Sequence, residues 1–203
     1  MKSTPPLPDW IRHARVRGYV TAQQLCPGEP RLYGTESLYG DWEGEVLLLA
    51  KDFGPSRILL ERIASGDPRP YRHSPEMLTN RRLQRLAEPL ANRGILYGSA
   101  LGNLLRADGR VSGSLPNRRA ALDYGTVVTR FVVERMTSLQ WIVCLGREAW
   151  EVASSDLGVE GDWRAQRDAG EPLESLVAAY HPAARITLEA MARPWEALLR
   201  LAA

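Results

Sequence analysis

Apolar residues along this chain come in two rhythms. Four short stretches, at 45–51, 95–101, 140–145 and 176–180, carry nearly unbroken apolar runs such as VLLLA, ILYGSAL, WIVCL and LVAAY. A strand without alternation is buried on both faces, as in the interior of a parallel sheet. Between these runs lie segments with helical spacing: 58–65, 76–90 with Leu78, Leu83, Leu86 and Leu90 on one side, 120–136, 147–154 and 188–201. Pro194 falls near the middle of the last, so that helix is expected to begin afresh there. Near the start, Asp9 is expected to cap a short helix in DWIRHARVRGY, with Trp10, Ile11 and Ala14 on one side. The stretches 27–44, 66–75, 102–119 and 156–172 read as loops, rich in Gly, Pro and polar residues. Strands alternating with helices predict an α/β protein: a three-layer α/β/α sandwich around a central four-stranded parallel sheet. One domain over 1–203 is expected, with 1–40 as an N-terminal arm, helix and loop.

Composition narrows the classes. With 203 residues there is enough chain for a real core. No apolar run reaches transmembrane length and no basic-then-apolar leader opens the chain, so a cytoplasmic protein without a membrane partner is expected. Cys26 and Cys144 lie far apart and neither belongs to a C-x-x-C pair, so no metal site is expected. Cys144, inside WIVCLG, reads as a buried small hydrophobe. A net charge of +2 supports no bulk electrostatic argument. The kind of base is more telling: lysine stands only at Lys2 and Lys51, and every other basic residue is arginine. Arginine suits bidentate phosphate contacts, although a genome rich in G and C gives the same bias. The cluster Arg12, His13, Arg15 and Arg17 is either a solvated face or a phosphate-contacting patch. No G-x-G-x-x-G or Walker-type loop is present, which removes the support for a nucleotide-binding domain.

Candidate chemistry sits where the strands end. Each apolar run closes on a polar signature: K-D-F-G at 51–54, S-A-L-G-N at 99–103, L-G-R-E-A-W at 145–150 and Y-H-P-A-A-R at 180–185. Ligands of open parallel sheets sit just beyond the carboxyl ends of the strands, and polar groups gathered at one edge form a pocket. Asp52 and His181 are the leading pair, one carboxylate and one imidazole on different strands. The structural alternatives are that Asp52 caps the next segment, that Phe53 packs, and that His181 is buried and bonded to backbone. The pair alone would serve many hydrolytic reactions.

The order of the motifs is more specific. A-K-D-F-G (50–54), P-Y (70–71), S-A-L-G-N (99–103), L-G-R-E-A (145–149) and H-P-A-A-R (181–185) resemble, in sequence order, the motifs of the uracil-DNA glycosylase superfamily. The resemblance spans roughly residues 40–200. Departures mark a divergent branch: Ala50 stands for the usual Gly, Phe53 for the usual Pro, and H-P-A for H-P-S. The iron–sulfur cysteines of some branches are absent.

The resemblance implies hydrolysis of the N-glycosidic bond of a uracil flipped out of DNA, leaving an abasic site, by a monomer without metal or cofactor. By position, His181 resembles the histidine that hydrogen-bonds uracil O2, and Asp52 the aspartate that orients water in one branch. Lys51 beside it could lower the aspartate's pKa, reach a phosphate or cover the pocket edge. Phe53 and Tyr71 are the aromatic platforms, worth about 1–3 kcal/mol per stacked base. Ser99 matches the base-reading residue by position and Asn103 by chemistry, since an amide can bond both O4 and N3. Pro182 and Arg185 fall where the family grips or wedges DNA, and Ser56, Arg72, His73 and Arg118 are further DNA-contact candidates. Gly54 takes the place of a bulky Tyr that excludes thymine in strict uracil enzymes. A glycosylase for another deaminated base, such as hypoxanthine, is therefore the alternative, and a non-catalytic module binding uracil or abasic DNA is another.

Overall fold

The computed structural model describes residues 5–28, 38–52, 56–66, 77–110 and 113–201. At its centre are four parallel strands: β3 (Val46–Ala50), β4 (Ile95–Ser99), β6 (Trp141–Leu145) and β7 (Leu176–Ala179). They are the four apolar runs, and they pair in the order β4-β3-β6-β7. A fifth, antiparallel strand, β2 (Tyr39–Gly40), extends the sheet beyond β4, where only a loop is expected from sequence. Its residues carry no apolar run, so nothing local marks it.

Alternate strand residues enter opposite layers. Leu47, Leu49, Ile142, Cys144, Leu176 and Ala178 join one buried cluster with Ala121, Val128, Phe131 and Val132 of α5 (Arg118–Val133) and Ala149, Trp150 and Val152 of α6 (Arg147–Leu157). Val46, Leu48, Val143, Leu145, Val177 and Ala179 join another with Leu86 and Ala87 of α4 (Leu78–Ala87) and Met191, Trp195 and Leu198 of α8 (Leu188–Leu201). Both strand faces are covered, which is why the runs are apolar without alternation. The molecule is the expected three-layer α/β/α sandwich.

Several elements depart from the sequence reading. The N-terminal helix α1 is only Asp9–Arg12; Pro8 precedes it as the cap, and Asp9 is its first residue. Gly18 then turns the chain at φ +89° into β1 (Tyr19–Thr21). β1 pairs with β5 (Leu104–Arg106), in a stretch that reads as irregular from sequence. Thr21 closes a capping box on α2 (Ala22–Leu25): its Oγ1 accepts from Gln24 N at 3.1 Å, while its own N–H donates to Gln24 Oε1 at 2.9 Å. Leu59 of α3 (Ser56–Ser65) packs with Ala22 and Leu105 over this small ribbon. The polar excursion at 156–172 contains α7 (Trp163–Ala169), capped by Asp162. Helix α8 runs unbroken across Pro194. Pro194 and the adjacent Trp195 are buried, and burial of this face offsets the backbone bond that proline removes.

Candidate active site

The sheet register sets out one edge. Ser99, Ala50, Leu145 and Ala179 form a continuous row across β4, β3, β6 and β7. Everything just past that row lies at the carboxyl end: Lys51 and Asp52, Ala100 and Leu101, Gly146 to Glu148, Tyr180 and His181. β4 flanks β3 on one side and β6 on the other, so the connections diverge between β3 and β6. That divergence is where open α/β sheets leave a crevice. Asp52 and His181 each stand two residues past the common row, on strands two apart. With about 4.8 Å between strands, their backbones are roughly 10 Å apart.

His181 is half-buried, and its Nδ1 has a backbone partner. The backbone N–H of Ala183 donates to Nδ1 at 3.1 Å. Nδ1 therefore keeps its lone pair, and in the neutral ring the proton sits on Nε2. Burial lowers the pKa of His181 below the ordinary histidine value; Asp52 works against this, Lys51 adds to it, and Glu148 again opposes it. The ring is thus biased toward a neutral form with a donor at Nε2. Gly146 lies beside this side chain at φ +110°, a backbone conformation that L side chains rarely adopt; a Cβ there would make only ordinary contact, 3.9 Å from the Cβ of His181. Its N–H donates to Ala179 O at 3.1 Å and ties the two strand ends together.

Lys51 pairs with Asp52, with 3.4 Å between Nζ and Oδ2 and side chains 27% and 24% exposed. Ser99, 2% exposed, donates from Oγ to Lys51 O and accepts from Leu101 N, both at 3.1 Å. Its hydroxyl fixes the backbone that carries Lys51 and Asp52. Asn103 is fully buried elsewhere. Its Nδ2 donates to Ile11 O and Gln23 Oε1, each at 2.7 Å, and its Oδ1 accepts from Tyr124 Oη at 2.6 Å. That amide is committed to the junction of α1, α2 and α5.

The remaining candidates are scattered. Pro182 is buried and Arg185 exposed, both in the loop after β7. Ser56 begins α3, half-buried. Arg118 begins α5 and is paired with Glu151, which also accepts from Arg147 Nε at 2.8 Å. Phe53, Tyr71, Arg72 and His73 lie outside the described residues.

Three residues join the site that the sequence did not single out. Glu148, in the first turn of α6, acts electrostatically on His181; its place inside L-G-R-E-A was the available signal. Tyr19 of β1 buries a hydroxyl that has no hydrogen-bond partner among the described residues, and the charges of Arg106 and Asp52 both act on it. Arg82 of α4 donates from one Nη1 to Pro182 O at 3.1 Å and Ala184 O at 3.0 Å. Nothing in the sequence signals a contact spanning a hundred residues.

The arrangement offers a neutral N–H donor, a carboxylate paired with an ammonium, and a second carboxylate, all on one sheet edge. Such a set can stabilise a developing anion on a ligand and orient a water beside it. Among the described residues, no three His, Cys, Asp or Glu side chains gather as metal ligands. No protein-family model matches the chain, and a search of the curated proteins finds no match.

Proposed function

We propose that the chain is a DNA glycosylase that hydrolyses the N-glycosidic bond of flipped-out uracil and leaves an abasic site. The observation that carries this reading is the state of His181: a neutral imidazole, its Nδ1 bonded to Ala183 N–H, with a donor left at Nε2 on the sheet edge that holds Asp52. Breaking a base–sugar bond makes the sugar cationic and sends the base away as an anion. A donor waiting for the uracil oxygen stabilises that anion, and removing one such donor costs about 3 kcal/mol of barrier. The neutral ring allows both bonds at once: Nδ1 keeps the lone pair that accepts from Ala183 N–H, and Nε2 stays a donor. Asp52 carries the negative charge that favours a sugar cation and orients the attacking water. Extruding the base costs a few kcal/mol.

The roles of the other residues follow the geometry. Ser99 supports the Asp52 segment through the Lys51 carbonyl. Asn103, with both amide protons spent, is left out of base reading. The motif order described from sequence adds to the reading by resemblance.

The test uses end-labelled oligonucleotides carrying a single uracil, hypoxanthine or thymine mismatch, treated with the protein and then with alkali. Breaks at uracil are the expected outcome. Breaks at hypoxanthine alone would move the assignment to that base. A mobility shift without breaks would make the chain a binding module, and neither breaks nor a shift would refute the DNA assignment.

A further inference from the structure

The loop that carries His181 is not held by its own strand alone. Arg82, in the middle of α4, reaches across and donates from Nη1 to the carbonyls of Pro182 and Ala184 at 3.1 and 3.0 Å. These carbonyls bracket Ala183, whose N–H fixes the tautomer of His181. Ala184 N–H in turn donates to His181 O at 2.8 Å, closing a tight turn. The turn follows directly on β7 and runs into Arg185, which is exposed. A guanidinium is charged at every working pH, and hydrogen bonds from charged groups are the stronger kind. Arg82 is half-buried, so these bonds are only partly diluted by solvent. Its influence on the ring runs through the geometry of this turn.

We infer that Arg82 is a positioning residue: by clamping the carbonyls on either side of Ala183, it holds the N–H that sets His181 with its proton on Nε2. The inference rests on the glycosylase reading for its catalytic consequence, but its structural half stands apart. Without the clamp, the 182–184 turn loosens and the Ala183 N–H no longer selects Nδ1. The imidazole then exchanges between tautomers, and the Nε2 donor is present for only part of the time.

The experiment compares the wild type with Arg82→Gln and Arg82→Lys. It reads nitrogen-15 NMR of the His181 ring, thermal unfolding, and single-turnover excision on the uracil oligonucleotide. In the wild type the ring nitrogens should show one acceptor at Nδ1 and one protonated Nε2. In Arg82→Gln the two signals should move toward each other as tautomers mix. The excision rate should fall at least tenfold while KM changes less than threefold. Arg82→Lys, which keeps a charged donor, should recover at least part of both. A ring spectrum and rate unchanged in a folded Arg82→Gln would overturn the inference. So would a loss of rate that tracks thermal unfolding alone and leaves the tautomer intact. If the wild type excises no uracil, the glycosylase reading fails, while the ring spectra still decide whether Arg82 holds the turn.

Discussion

At the scale of residues, the Nε2–H of His181 is the group on which the proposed chemistry depends. His181→Ala should lower uracil excision at least tenfold while DNA affinity stays within about threefold, as read by single-turnover rates and titration. Asp52→Asn should cost less, because an amide still orients water. The pH behaviour follows from the same ring. Its folded pKa lies below that of the unfolded chain, which is near 6.5. Between these two values the unfolded state binds more protons, so stability rises with pH through that window and is complete above about 6.5. Protonation would also turn Nδ1 from acceptor to donor and set it against the Ala183 N–H. Urea unfolding across pH should show this step in the wild type and lose it in His181→Gln. Asn103 makes the contrasting case. Asn103→Ala leaves Ile11 O, Gln23 and Tyr124 Oη to lose a partner, so about 2–3 kcal/mol of stability should disappear. Preference among damaged bases should not change; a change would return Asn103 to base reading.

At the scale of elements, α5 fits closely against the end of β4, beside the strand end that leads into Asp52. Gly125 of α5 faces Ala100, and a Cβ there would fall 1.7 Å from the Ala100 carbonyl oxygen. Ala100 N–H donates to Ala50 O at 2.7 Å, immediately before Lys51 and Asp52. Displacing α5 therefore displaces the strand end that carries the carboxylate. Gly125→Ala should cost about 3 kcal/mol, at the upper end for overpacking because the obstacle is backbone. The shift should appear in the denaturant midpoint with little change in slope. The longer helices were legible from apolar spacing, while their ends and breaks, and the short helices α2 and α7, were not. Pro194 reads as a stop, yet α8 passes it because Met191, Trp195 and Leu198 bury the same face on both sides. The 9–19 segment reads as helix, yet Gly18 and the pairing of Tyr19 with Arg106 convert its end to strand.

At the scale of the whole molecule, a nearly neutral chain must concentrate charge to hold a polyanion. Arg185 is exposed beside the His181 turn, whereas Arg118 is already paired with Glu151. Arg185→Ala should reduce the slope of log affinity against log salt by about one phosphate contact, and Arg118→Ala should leave it nearly unchanged. Equal effects would mean that Arg118 exchanges its carboxylate for phosphate. Among the described residues, no helix is long and apolar enough to cross a membrane.

The sequence by itself determined the parallel sheet and the order of the polar strand ends. The reason is local: a run such as VLLLA has no polar side for water, so both faces must be covered, and whatever follows it must emerge at one edge. Tertiary structure alone decided what each polar group at that edge does. Ser99 and Asn103 are four residues apart, yet one hydroxyl braces Lys51 and the other's amide is spent on Ile11 and Gln23, far back in the chain. The β2 edge strand, the β1–β5 ribbon and the Arg82 clamp have the same origin. Each is a pairing between distant segments, selected by which surfaces meet when the layers close, and no short-range pattern encodes that meeting.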